Sequence, residues 1–449
     1  MTTLWLESAL LPTGWANGVR VTIAGGVIES VERADPQPGD ERHAIAIPGL
    51  CNVHSHGFQR GMAGLSEHRG AAGGDDNFWS WREVMYRFLD RLSPDDVEAI
   101  TAQAYAEMLE GGYTRVGEFH YLHNDPDGTG YDDPAEMAAR IVAASDATGI
   151  GLTLLPVFYA HSDFGGRPPK HGQRRFLQDL DGFAALLDAS AGLLGGDARL
   201  GIAPHSLRAV TGEELRALLA MHPLGPVHIH AAEQTGEVEA SLAFSGARPV
   251  EWLLDNAGVD ARWCLIHATH LTESETDRLA ASGAVAGLCP VTESNLGDGI
   301  FPAERYLAAG GRIGTGTDSN ILIDAAAELR GLEYSQRLAH RGRNMLAAGA
   351  GSTARRLFHA TLAGGAQALG TIGGIAVGAP GDLISLDAGH VSLVGRSGDA
   401  LLDSWIFAGR AGAIDCVWRA GRKRVAGGRH VDADAIAARY RKTVSRILS

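Results

Sequence analysis

The stretch Pro48-Gly49-Leu50-Cys51-Asn52-Val53-His54-Ser55-His56 is an apolar run that ends in two histidines separated by one residue. On a β-strand, residues i and i+2 face the same side, so His54 and His56 direct their rings into one space. Neutral imidazoles in that arrangement suit a divalent metal such as zinc. Two buried polar residues that bind nothing would carry the same signature, so the pair by itself leaves both readings open. The rest of the chain decides between them.

Working outward, the run at 46–53 is the first of eight apolar strand candidates, followed by 114–118, 151–157, 199–203, 226–230, 263–267, 284–289 and 312–317. Most of them precede a helical segment. Apolar strands alternating with helices imply parallel strands covered on both faces, and eight of them imply a (β/α)8 barrel, an α/β fold of the TIM type. Helix-start signals support the count. Ser93-Pro94-Asp95-Asp96 opens a helix that stops at Gly111, Thr211–Glu214 and Thr272–Glu275 are capping boxes, and Asp133-Pro134-Ala135-Glu136 puts Pro at a first helical position. The connection 57–92 is unusually long and carries a Gly/Asp-rich patch at 70–76, as binding loops and lids do.

Residues 1–47 predict short strands at 3–6, 19–23, 26–33 and 44–47. The same pattern returns past 373, at 374–377, 382–387, 414–419 and 423–426. The two ends are expected to make one small discontinuous β domain, 1–47 with 373–449, beside a barrel spanning 48–372. The basic run 419–424 reads as a solvated β edge.

With 45% hydrophobic and 20% charged residues, the 449-residue chain has the apolar content of a large globular core. Its net charge of −14 argues against nucleic acid or an anionic membrane as a partner, and means that an anionic ligand would need a locally basic pocket. Cys51, Cys264, Cys289 and Cys416 lie far apart, which disfavours a disulfide framework or a zinc knot. The start of the sequence lacks the basic and apolar regions of a signal peptide and no stretch reaches membrane-spanning length, so the expected location is cytoplasmic.

In such a barrel the active site lies at the C-terminal ends of the strands. Strand one ends in His54 and His56, strand four in Pro204-His205-Ser206-Leu207-Arg208, and strand five in His228-Ile229-His230-Ala231-Ala232-Glu233. Strand six ends at His267 and strand eight in Thr317-Asp318-Ser319. One such residue would be noise, whereas five strand ends in order are not. No G-x-S-x-G elbow or H-E-x-x-H motif is present, so serine-hydrolase and zincin chemistry lapse.

This ordered set resembles the amidohydrolase superfamily over nearly the whole chain. The superfamily's strand-one His-x-His falls on His54 and His56, its strand-five His on His230, its strand-six His on His267 and its strand-eight Asp on Asp318. The stretch from Gly374 to Asp382 resembles its return into a β-sandwich. No lysine closes strand four, which disfavours the two-metal branch, and the spacing from His230 to Glu233 matches the one-metal deaminases. Within the superfamily the chain is similar to the N-formimino-L-glutamate deiminases at His54–Gly64, Phe78–Glu83, Glu118–Tyr121, Pro204–Arg208, His228–Gln234 and Asn295–Pro302.

The resemblance implies one divalent ion, Zn²⁺, held by His54, His56, His230 and Asp318, and a water brought to a pKa of about 7. Glu233 is the expected proton shuttle, with His267 and Asp318 orienting the water. The implied reaction converts N-formimino-L-glutamate to N-formyl-L-glutamate and ammonia, a step of histidine breakdown, in a homodimer. Arg82 and Arg208 offer planar forks for the two substrate carboxylates, and Gln59, Tyr121 and His205 are implied as further hydrogen-bonding groups. The alternatives are a guanine- or triazine-type deaminase, which would favour an aromatic, amide-lined pocket, and a non-catalytic barrel, which would be expected to lack a ligand. Read without the resemblance, Glu233 could merely open a helix, Arg82 could sit in a surface ion pair, His205 could be a satisfied loop histidine, and Tyr121 could cap the barrel mouth. His228 is expected to be a packed barrel residue.

Overall fold

The histidine-bearing run divides at Gly49. Glu41–Pro48 belongs to one sheet and Leu50–Ser55 to another. The chain turns there with no room for a side chain, because a Cβ at Gly49 would collide with Thr114. In the computed structural model, residues 1–68, 76–409 and 412–449 are described. The patch expected at 70–76 therefore lies, except for Asp76, outside the described residues.

The strands in chain order are β1 (Thr2–Leu11), β2 (Gly14–Ala24), β3 (Val27–Arg33), β4 (Glu41–Pro48), β5 (Leu50–Ser55), β6 (Tyr113–His120), β7 (Gly151–Phe158), β8 (Arg199–Leu200), β9 (Ala203–Pro204), β10 (Val227–Ala231), β11 (Trp263–His267), β12 (Val285–Leu288), β13 (Arg312–Thr315), β14 (Leu383–Leu386), β15 (Ile414–Arg419), β16 (Arg422–Ala426) and β17 (Arg429–His430). From β5 to β13 all pairing is parallel, in the order β10-β11-β12-β13-β5-β6-β7-β8, with β9 also on β7. A bridge from Ile202 to Val227 joins the two ends of that path. The result is the expected (β/α)8 barrel, its fourth strand broken into β8 and β9.

The remaining strands form one mixed sheet, β17-β16-β15-β14-β4-β1-β2-β3. In it β4 runs parallel to β1 and antiparallel to β14, so the two chain ends share one sheet. We infer that 1–47 with 373–449 and 48–372 are the two units of the chain, a division that limited proteolysis would test. An ion-pair network spans them: the half-exposed Asp197 accepts from the buried Arg115 of β6 and Arg419 of β15, both at 2.5 Å. Arg419 is thus buried and paired rather than part of a solvated edge, and Val425 and Ala426 of β16 pair on to β17.

Three local expectations are corrected or extended. Residues 374–377 form no strand; Gly374 and Gly378 adopt φ of 107° and 87°, a turning backbone that no ladder accommodates. The helix after Asp133 begins only at Glu136, since Asp133 uses its Oδ1 to hold the Ala135 N–H in a turn. A C-terminal helix, Ala433–Leu448, was not foreseen. It lies on the helix Pro94–Glu110 through Arg446 and Asp96 and reaches the site loop where Tyr440 donates to the Arg60 carbonyl at 3.4 Å. The capping boxes at Thr211 and Thr272 form as read, and the helix expected at Ser93 also opens with one.

Candidate active site

The barrel's C-terminal mouth gathers side chains from β5, β9–β11 and the segment after β13. Strand pairing fixes their register: Thr317 and Asp318 both donate backbone N–H to the His54 carbonyl, at 3.1 and 3.0 Å, and His56 donates to the Asp318 carbonyl at 3.0 Å. Asp318 (φ 44°), His267 (φ 67°) and Ala232 (φ 51°) all sit in the left-handed region that non-glycine residues rarely occupy. Such strain persists only where the surroundings over-determine it, and here it clusters at the strand ends.

Four donor atoms converge. His54 Nε2 lies 3.1 Å from His230 Nε2 and 3.4 Å from Asp318 Oδ1, and His56 Nε2 lies 3.3 Å from the same oxygen. The far nitrogens of two of these rings are committed: His56 Nδ1 donates to the Phe119 carbonyl at 2.9 Å and His230 Nδ1 to the His205 carbonyl at 3.0 Å. His56 Nε2 therefore turns a lone pair toward the Asp318 carboxylate and His230 Nε2 turns one toward His54. His54, His56 and Asp318 form one trio that could hold a divalent cation, and His230 joins it through its contact with His54. Burial pushes the His54 imidazole down to about 3, keeping it neutral. Burial alone would raise the Asp318 carboxyl, but the hydrogen bond from His54 and the nearby His56 and His267 hold it well below the usual carboxylate range.

Beside this cage His267 turns Nε2 toward Glu233 Oε1 (3.7 Å) and Asp318 Oδ2 (3.8 Å). Burial works against a charged His267, yet the carboxylates of Glu233, Glu293 and Asp318 outweigh it and raise its pKa. Burial raises Glu233, opposed by His267 and Arg208. Arg208 is largely buried, with Nη2 at 4.0 Å from Glu233 Oε2 and 3.8 Å from Glu237 Oε2, while its Nε has no partner among the described residues. Arg82, on the helix Phe78–Leu89, stacks its guanidinium over Trp79 at 4.5 Å and leaves a buried Nε unpaired among the described residues. Gln59 Nε2 donates to the Tyr121 hydroxyl at 2.7 Å, and the buried Gln59 carbonyl oxygen has no partner among the described residues.

One cavity is lined by His56, Gln59, Arg82, Tyr121, His205, Arg208, His230, Glu233, His267 and Asp318. Every residue singled out from the sequence thus faces it, apart from His54, which lies fully buried at its floor in contact with His230 and Asp318. His228 stays out of it and donates Nε2–H to the Ala368 carbonyl at 2.9 Å. Trp81, Tyr86 and Tyr159 add aromatic walls.

Three carboxylates were missed. Glu293 accepts the Cys289 N–H at 2.8 Å and lies 3.2 Å from His267 Nδ1. Glu237 accepts the N–H groups of Ala232 and Glu233 at 3.1 and 3.3 Å, holding the turn that presents Glu233. Asp298 is buried, accepts from Gln234 Nε2, and is raised by burial and then by the neighbouring Glu233 charge. Asp298 lay inside a stretch noted for its resemblance; the other two occupy helical positions where an acidic residue carries no distinguishing signal.

Comparison with known proteins agrees with this architecture. The family model described as amidohydrolase family matches residues 45–424, and that described as formimidoylglutamate deiminase, N-terminal domain, matches residues 1–44. The chain is 49% identical to a formimidoylglutamate deiminase of Pseudomonas aeruginosa, with 100% of each chain covered. It superposes on the crystal structure of an amidohydrolase from Brucella melitensis with TM-score 0.97 and 52% identity, covering 100% of both. An atrazine chlorohydrolase from Arthrobacter aurescens TC1, solved with zinc, shares the fold at TM-score 0.82 and 21% identity over 99% of this chain and 100% of that one. On its barrel, its donor cage and these matches, the chain belongs to the amidohydrolase family, in the formimidoylglutamate deiminase branch.

Proposed function

We propose that this chain hydrolyses N-formimino-L-glutamate to N-formyl-L-glutamate and ammonia. The observation that carries the reading is the content of one cavity. In a protein of net charge −14, it places two guanidinium groups, Arg82 and Arg208, beside the Glu233–His267 pair and the histidine–aspartate cage. A dianionic substrate needs such cations, whereas a neutral purine or triazine ring does not. The activity named for the Pseudomonas aeruginosa relative supports the same substrate.

His54, His56, His230 and Asp318 would hold the divalent ion, and their nitrogen-rich donor set suits zinc. When bound, the ion supplies the Lewis acidity that makes water nucleophilic near neutral pH. Glu233 takes the proton that water gives up on attacking the formimino carbon and returns it to the nitrogen that departs as ammonia. His267, with Nε2 facing both Glu233 and Asp318, orients that water. Arg82 and Arg208 clamp the two carboxylates, and Gln59, Tyr121 and His205 supply hydrogen bonds around the rest of the substrate. The working form inferred is a cytoplasmic homodimer.

Steady-state assays on a panel test the reading. The zinc-loaded protein is expected to turn over N-formimino-L-glutamate with far higher kcat/KM than guanine or an aminotriazine. Turnover of a neutral ring in preference to the formimino acid would overturn it.

A further inference from the structure

Away from the barrel mouth, β4 and β15 bring His43, Asp415 and Cys416 together. His43 Nδ1 lies 3.6 Å from Asp415 Oδ2, and the Cys416 thiol and the Ser385 hydroxyl each donate to the same oxygen at 3.4 Å. One donor atom from each of His43, Asp415 and Cys416 lies within 4.8 Å of the other two. The register of β14 against β15 shifts between Ser385 and Leu386, leaving Asp415 as the unpaired residue of a bulge. A bulge breaks the strict alternation of side chains, which lets the consecutive Asp415 and Cys416 serve one spot.

The imidazole is fixed on two sides. Its Nε2–H donates to Glu41 Oε1 at 2.9 Å, and the ring stands at 78° to Trp418 with centroids 4.7 Å apart. With Nε2 as the donor to Glu41, Nδ1 is the nitrogen left to bind, and it faces the Asp415 carboxylate. A carboxylate on the far nitrogen is the usual support for a metal-binding histidine. Glu41 is in turn neutralised by the Lys423 ammonium, which rests 5.3 Å over the Trp418 ring. The remaining charge balances: an Asp415 carboxylate and a Cys416 thiolate offset one divalent ion.

We propose that His43 Nδ1, Asp415 Oδ2 and Cys416 Sγ form a second metal site, for a divalent ion such as zinc, with one position left for water. Ligand bonds of about 2.0–2.3 Å around a tetrahedral centre put donor atoms roughly 3.3–3.7 Å apart, and the two measured separations fall in that interval. Cys416 is buried while the Asp415 side chain is 38% exposed, so the ion has a route in from solvent. As the metal–sulfur bond forms, the thiol proton leaves to solvent. The site ties the strand before the barrel to a strand after it, a clamp on the terminal sheet rather than a part of turnover.

Titration of the full-length protein with Co²⁺, after the barrel-mouth cage has been filled with Zn²⁺, tests this. The expected result is one further equivalent bound, with a thiolate-to-metal charge-transfer band and release of a proton. Cys416→Ser should abolish the band, and Asp415→Asn, a change at the surface that spares the packed thiol, should weaken binding by about 10-fold or more. Turnover should be unchanged in both. Absence of the extra equivalent in the unmodified protein, or a band that survives Cys416→Ser, would overturn the proposal.

Discussion

Glu293 Oε1 lies 3.2 Å from His267 Nδ1, while Nε2 of the same ring faces Glu233 and Asp318. The same Glu293 oxygen accepts the Cys289 N–H at 2.8 Å, which fixes the carboxylate before it meets the ring. His267 is thereby held in one orientation with Nδ1 as the donor. Glu293→Ala is expected to lower kcat about 10- to 100-fold with little change in KM, as loss of a supporting carboxylate does. Glu293→Gln, which keeps an oxygen acceptor, should recover much of the loss. Steady-state kinetics on both variants check this, and a loss carried by KM alone would speak against it.

Glu233 is the group assigned the proton transfer. Glu233→Gln preserves its volume and removes its basicity, so kcat should fall by about 10²–10⁴-fold. Binding of a non-hydrolysable dicarboxylate, measured by calorimetry, should persist. A variant that kept near-normal turnover would return Glu233 to the role of a helix-opening residue.

Arg82 and Arg208 are expected to fail in different ways. Arg82 touches the aromatic wall and no acidic partner is found for it among the described residues, so Arg82→Met should act on KM. A charge-assisted hydrogen bond contributes about 1.5–3 kcal/mol, which corresponds to roughly 10- to 150-fold in kcat/KM. Arg208 also faces Glu233 and Glu237, and its charge pulls the Glu233 carboxyl down. Arg208→Met should therefore lower kcat as well as raise KM, and a pure KM effect would contradict the shared role.

Stability should depend on acid through Asp197. Burial alone would raise its carboxyl, but Arg115 and Arg419 hold it below its ordinary value of 3.8. A depressed folded-state value means that the unfolded chain binds the proton first. The stabilisation is then complete above about 3.8 and is lost as pH falls through the lower folded value. Asp197→Asn should lower Tm at pH 7, because it leaves the buried Arg115 short of its charge partner. The gap to the unmodified protein should close in strong acid. A gap that is constant with pH would show that the network acts by packing alone.

The fold was legible where chemistry and periodicity coincide. His54 and His56 end a run of apolar residues, and each later strand end repeats the pattern of buried strand followed by polar tip, so both the barrel and the residues lining its mouth could be read in order. Arg419 could not be placed, because its partner Asp197 lies 222 residues earlier and nothing local distinguishes it from Arg422, Lys423 and Arg424. Residues 374–377 have the composition of a strand, but glycines at positive φ turn the backbone instead. Glu293 and Glu237 each sit four residues past a group whose N–H they accept, a spacing common to any helix start. The helix Ala433–Leu448 was missed although its start carries signals, Asp432 at the N-cap position and Asp434 in the first turn.

The central claim is which bond breaks, and the most direct measurement is product analysis of the zinc-loaded protein incubated with N-formimino-L-glutamate in ¹⁸O-labelled water. The expected products are ammonia and N-formyl-L-glutamate with the label in the formyl oxygen. Formamide with unlabelled glutamate would contradict the account, since it would mean that the proton is delivered to the amino-acid nitrogen and not to the terminal imino group.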